Sequence, residues 1–246
     1  MPKNQECVFC RNQCLSTRDH VPPKGLFAEP RPQNLITVPA CRKCNEGANL
    51  DDEFMQRFAM AQGTETNEDA NAVGQIILRA MSKPEKKGMR MGLLKSLTPA
   101  QVFSPMGLWA GFGFKMSYDG ERLKRILTKI TKGMLWEITK RKLKAQRIRG
   151  FSESQVPRLP EDYAVFVNQV GAAPLAEMHQ TESEMLAGQP AVIGNGTFLY
   201  RYILHPEDPF TSTWRFSFYN CFQFMGYTGR YHGEDPLFLT IQDAPE

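Results

Sequence analysis

Two cysteine pairs constrain this chain more than any other feature. Cys7-x-x-Cys10 and Cys41-x-x-Cys44 are separated by 30 residues. Each Cys-x-x-Cys closes a tight knuckle, and two knuckles supply four thiolates. Four thiolates complete the tetrahedral shell that zinc prefers, at ~2.3 Å per bond, and leave no open position, so such a site is structural. It allows a unit of short strands and loops too small to bury a full core of its own. The same cysteines have two other readings, unrelated free thiols or a redox pair. A redox motif ordinarily comes singly beside a βαβ pattern, which is absent here. Cys14 is an alternative to Cys10 as ligand, and Cys221, in an aromatic strand, reads as a small buried hydrophobe. The N-terminal residues have no basic start followed by an apolar core, and no stretch is long enough to span a bilayer. The expectation is a cytoplasmic chain with no membrane partner, in a compartment where thiols stay reduced and bind metal.

The residues between the knuckles carry chemistry. Asp19-His20 ends one extended segment, and Val21-Pro22-Pro23 must be loop. Asn34–Pro39 reads as a short second strand, and Asn45 follows Cys44 directly. Leu50, Phe54, Phe58 and Ala61 recur at helical spacing, with Asn49 or Asp51 able to cap and Gly63 as the stop. Phosphodiester hydrolysis needs a base to activate water, a metal ion to stabilise charge and groups that orient the base. A hard cation such as magnesium takes oxygen ligands and keeps several waters, so one carboxylate and one amide oxygen can suffice. Asp19 supplies the carboxylate, His20 the base and Asn45 the amide.

In that order, within that frame, the pattern resembles the HNH endonucleases, the ββα-metal nucleases. It resembles the branch whose core is clamped by a zinc ribbon of two Cys-x-x-Cys pairs. The resemblance covers about residues 5–60, roughly a quarter of the chain. It implies His20 as general base, Asp19 as ligand of a catalytic Mg2+ or Mn2+, and Asn45 as second ligand where many relatives have histidine. It implies Asn34 as the residue that orients the histidine. It also implies hydrolysis of DNA to 5′-phosphate and 3′-hydroxyl ends, in a setting such as restriction or phage defence. Ala48 stands where a basic residue often follows, and Asp51, Asp52 and Glu53 suit a helix N-terminus. The fold class expected is α+β: an N-terminal ββα-metal (HNH) unit clamped by a four-cysteine zinc site, then a mixed helix and strand region of unassigned fold.

Charge divides the rest. Residues 1–114 carry 14 Lys+Arg and 11 Asp+Glu, residues 115–149 carry 12 and 3, and residues 151–246 carry 4 and 12. The expected units are 1–62, the zinc-stapled nuclease domain, 63–150, a helical basic region, and 151–246, an acidic β-rich region. A basic block attracts polyanions. Lys124, Arg125, Lys129, Lys132, Lys140 and Arg141 are the candidates to grip a phosphate backbone, of DNA first and RNA second. The alternative is a solvated helix face. Helices are expected over 64–82 and 121–142, the latter burying Leu123, Ile126, Leu127, Ile130, Met134 and Ile138. A strand is expected over Leu108–Tyr118, with Asp119-Gly120 as a turn. Trp109, Phe112, Phe114 and Trp136 are expected in the core, with stacking on bases the second reading. Residues 150–160 read as linker, Tyr163–Val170 as a short apolar element, and Thr197–Leu204 and Thr213–Tyr227 as strands. The acidic third would pack the rest, form a homodimer or dock a protein partner. Two rivals to the nuclease reading remain. One is a non-catalytic zinc module that binds nucleic acid or protein. The other is a nuclease subunit activated by a partner.

Overall fold

The computed structural model describes residues 4–46, 51, 53–55, 57, 67–104, 106–145, 153, 156–160, 163–171, 190–220 and 222–230. Most of the helix expected over 50–61, with Phe58 and Ala61, lies outside them, as do Ala48, Asp52 and Cys221. Asp51, Glu53, Phe54, Met55 and Arg57 are helical. The class is α+β.

The N-terminal segment forms two short antiparallel pairs. β1 (Asn4–Glu6) pairs with β2 (Gln13–Leu15) around the first knuckle. β3 (Thr17–His20) pairs with β4 (Thr37–Ala40), opposing His20 to Thr37 and Asp19 to Val38. Helix α1 (Arg42–Glu46) follows β4 at once. The second strand thus opens at Thr37, three residues later than expected, and Asn34 lies in the loop before it. That loop has Pro30 and Pro32, which offer no amide hydrogens to a ladder.

Helix α2 (Glu68–Met81) is capped by the Asn67 side chain, which accepts from the amides of Asp69 and Ala70. It buries Val73, Ile77 and Met81, while Ile76 faces solvent. The expected break at Pro84 is a single 3-10 turn, and a further helix, α3 (Lys87–Ser96), follows directly. Then β5 (Leu97–Phe103) and β6 (Trp109–Met116) form an antiparallel hairpin. Trp109, Phe112 and Phe114 are exposed on it rather than placed in the core, for the hairpin has no third strand or packed layer among the described residues.

Helix α4 (Gly120–Ala145) is the central element. All six apolar positions named from the sequence are buried, and Glu137 is buried on the same face; so are Leu135, Trp136 and Lys140 on other faces. The helix packs against β4 and also against β7 (Tyr163–Gly171) and β11 (Phe222–Arg230). A helix with neighbours on more than one side buries more than one stripe.

The C-terminal region is a five-stranded antiparallel sheet of order β7-β11-β10-β9-β8, with β8 Ala191–Ile193, β9 Phe198–Leu204 and β10 Ser212–Phe218. The strand expected over Thr213–Tyr227 is a hairpin instead. It reverses through Tyr219 and Asn220, both at positive φ, and neither is the glycine that usually marks such a turn. Stacked rings of Tyr202, Trp214, Phe216 and Phe198 cross the sheet. One buried cluster joins Val8, Val21, Leu26 and Val38 of the N-terminal segment, Ile130 and Met134 of α4, and Trp214 and Phe216 of the sheet. The region expected as linker is partly built in: Val156 and Arg158 are buried, and the Arg158 guanidinium donates to the carbonyls of Val156 and Glu6.

Candidate functional site

The ligating sulfurs of Cys7, Cys10, Cys41 and Cys44 all lie within 4.8 Å of one another, so the four can hold one metal ion. Four thiolates at ~2.3 Å around a tetrahedral ion put neighbouring sulfurs about 3.8 Å apart. Cys10 Sγ and Cys41 Sγ are 3.7 Å apart. Cys14 is not in the set; its thiol donates to the Gln5 carbonyl at 3.6 Å. Local backbone builds each knuckle. The Arg11 amide closes on the Cys7 carbonyl with Arg11 in the left-handed region, and the Val8 amide bonds the Pro39 carbonyl, joining the first knuckle to the strand before the second. The Cys44 amide donates to Cys41 Sγ at 3.4 Å. Burial pushes the Cys7 and Cys44 thiols up. Burial also acts on Cys41, but hydrogen bonds from Cys44 and neighbouring thiols outweigh it and hold Cys41 below its ordinary value.

Beside this cluster, β3 ends in Asp19 and His20. Alternation along the strand sends them to opposite sides. Asp19 is buried and its Oδ2 lies 2.7 Å from Lys129 Nζ of α4. His20 lines a small cleft of about 20 Å³ with Val21, Asp51, Arg125 and Lys129. Burial, with Lys24 and Arg31, lowers the His20 pKa against the opposing charge of Asp19. Arg125 sits 3.5 Å from Asp51, which also pairs with Arg122 at 3.3 Å. Asn45, one turn into α1, donates through Nδ2 to Thr17 Oγ1 at 2.8 Å and to the Arg18 carbonyl at 3.3 Å. It is held against the strand that carries Asp19. Asn34 points elsewhere. Its Nδ2 donates to the Val192 carbonyl of β8 at 3.0 Å, and it lines a separate polar cavity with Asp69 and Asn195.

The C-terminal sheet positions the loop that follows His20. The buried Tyr219 hydroxyl donates to the Leu26 carbonyl at 2.7 Å, and burial pushes its pKa up. Nothing in the order of residues points to that bond, since it joins positions 193 apart.

The six basic candidates divide. Lys124 is exposed, and Arg125 and Lys129 line the His20 cleft. Lys140 is buried, 2.5 Å from Glu137 and over the Trp136 ring. Arg141 pairs with Glu137 at 2.9 Å. Lys132 is half-buried; burial lowers its pKa while the charges of Cys44, Cys10 and Cys7 oppose the shift.

Among the described residues no helix is long and apolar enough to cross a membrane. Comparisons with family profiles, with curated proteins and with solved structures give no match.

Proposed function

We propose that this chain is a metal-dependent nuclease that hydrolyses phosphodiester bonds, with DNA as its first substrate and His20 as its general base. The observation that carries the reading is a juxtaposition: two antiparallel strands and a helix, clamped by four cysteines, with Asp19-His20 at the end of the first strand and Asn45 on the helix. The cysteine cluster is the seat of a structural zinc, since its sulfur separation suits four thiolates around that ion.

His20 faces a cleft, and its lowered pKa keeps the imidazole neutral near pH 7. A neutral imidazole can take a proton from water. Arg125 and Lys129 on the cleft wall give a phosphate its counter-charge. Asp19 and Asn45 are the residues that would hold a hydrated Mg2+ or Mn2+, the donor set suited to a hard cation. Such an ion, when bound, stabilises charge on the phosphate and the leaving oxygen. Restriction or phage defence is a setting in which this activity fits.

One observation favours a second reading, a zinc module that binds without cutting: the Lys129 ammonium is already the charge partner of the Asp19 carboxylate within the chain. The discriminating experiment incubates supercoiled plasmid with wild-type protein and His20→Ala, in magnesium or manganese, with zinc content measured on both. The expected result is nicking by the wild type, lost in His20→Ala at unchanged zinc. Cleavage that survives His20→Ala at the same rate overturns the site assignment, and no cleavage by the wild type favours the binding module.

A further inference from the structure

The β5–β6 hairpin has a surface that the nuclease reading leaves unused. Phe112 and Phe114 are 80% and 70% exposed, and Trp109 is 59% exposed. Residues two apart on a strand share a face and lie about 6.8 Å apart along it. Phe112 and Phe114 are therefore on one face, and Trp109 meets Phe112 edge-on with ring centroids 5.7 Å apart. Phe103, Met106 and Leu108 add exposed apolar surface at the hairpin's tip. A two-stranded hairpin with both faces in water is marginal by itself. Apolar patches of this kind mark a place where something binds.

The charge around the hairpin narrows what that is. From residue 86 to residue 118 the sequence holds five basic residues, Lys86, Lys87, Arg90, Lys95 and Lys115, and no acidic one. Lys87, Lys95 and Lys115 are exposed. A second copy of the same patch would set like charges against each other. A polyanion with flat apolar faces complements both features, and an unpaired nucleic-acid strand is such a molecule.

The position of the hairpin agrees. At its foot lies a cavity of about 220 Å³ lined by Phe54, Arg57, Met116, Tyr118, Arg122 and one carboxylate, Asp119, which pairs with Arg122. Arg122 also pairs with Asp51, and Asp51 lines the His20 cleft. The two cavities therefore flank the Asp51 carboxylate, with arginines on either side.

We propose that the β5–β6 hairpin and the cavity at its foot bind an unpaired segment of nucleic-acid strand, with bases stacked on Trp109, Phe112 and Phe114, and lead it toward the cleft at His20. The inference rests on the nuclease reading for the destination of the strand, not for the binding itself.

The test uses full-length His20→Ala protein, fluorescein-labelled oligothymidylate and a labelled duplex of equal length, read by anisotropy at one salt concentration. Stacking contributes about 1–3 kcal/mol per base, so Phe112→Ala with Phe114→Ala is expected to weaken oligothymidylate binding at least about tenfold. Duplex binding should change little. Phe112→Tyr should retain affinity, and the salt dependence should hold its slope, because no cation is removed. Zinc content and thermal midpoint establish that the variants are folded. Equal affinity for the two oligonucleotides, or indifference to the loss of both rings, overturns the proposal. So does a dimer that the same variant splits in sedimentation, or pelleting with phosphatidylserine vesicles that the variant abolishes while oligothymidylate binding is unmoved. Plasmid cleavage separates the two readings. Ring-dependent strand binding without cleavage by the wild type sinks the nuclease and keeps the hairpin. Cleavage with indifferent rings does the reverse.

Discussion

His20 and Asp19 are neighbours in sequence with opposite environments. The histidine's pKa falls through burial first, then through the charges of Lys24 and Arg31. On the proposed nuclease reading the base form is the neutral imidazole, so cleavage should rise with pH along an acidic limb below the ordinary histidine value of about 6.5 and level off near neutrality. Lys24→Gln removes one of the charges that depress His20, so the limb should move to higher pH. A pH–rate profile that stays in place in this variant would mean that some other group titrates. Asp19 is buried with Lys129 as its charge partner. Removing one member of a buried pair leaves the other uncompensated and costs about 3–5 kcal/mol. Lys129→Met should therefore lower stability by about 3 kcal/mol, measured by urea unfolding, whereas Lys124→Met on the exposed side should change it by less than about 0.5 kcal/mol. The contrast also separates what is local from what is not. Cysteine spacing and the Asp19-His20 step are local, so the sequence displays them. The partners of Lys129, Lys132, Lys140 and Arg141 are distant carboxylates and thiols or lie one turn away, so a run of cations reads as a free basic face.

At the scale of elements, α4 decides how the cleft is built. Gly133 sits in the middle of a 26-residue helix, where alanine would ordinarily be better by about 1 kcal/mol. A Cβ there would lie 2.7 Å and 2.9 Å from the two γ-carbons of Val21, the residue after His20. Val21 is buried and its β-branched side chain has little rotamer freedom, so the contact cannot relax cheaply. Overpacking of this kind costs about 1–3 kcal/mol. Gly133→Ala should thus be destabilising despite the gain in helix propensity, by about 1 kcal/mol net. Combining it with Val21→Ala should recover part of the loss. A more stable single variant in a thermal melt would refute the close approach. Periodicity makes α4 legible, because six apolar positions recur at helical spacing. The hairpin between β10 and β11 is not legible, because Tyr219-Asn220 carries no glycine or proline and its turn is held by the remote Leu26 carbonyl. Helix α3 and strand β5 also leave little trace in the sequence: α3 buries no residue, and Pro99 interrupts the strand pattern of β5.

For the whole molecule, the four-cysteine cluster and the core are one problem. Val8 lies inside the first knuckle, and Val38 and Ala40 lead into the second. Val8 and Val38 belong to the same buried cluster as Ile130 of α4 and Trp214 of the sheet. The cysteine cluster therefore holds one wall of a core whose other walls are the helix and the sheet. Binding energy at a structural metal site is folding energy. If the chain melted as independent units, a chelator strong enough to strip the metal would lower one transition and leave the sheet's transition alone. With a shared core, both should fall together: one cooperative melt, shifted down by well over about 5 °C, with loss of near-ultraviolet dichroism from buried Trp136 and Trp214 and recovery on adding zinc. Cys44→Ser should reproduce the stripped state. The shift should also depend on pH in a set direction. Burial raises the Cys7 and Cys44 thiols, so loading a metal must displace protons from them, and apparent affinity must fall as the solution is acidified. A midpoint that ignores the chelator, or a sheet signal that survives it, would mean that the helix and sheet hold the core without the N-terminal wall.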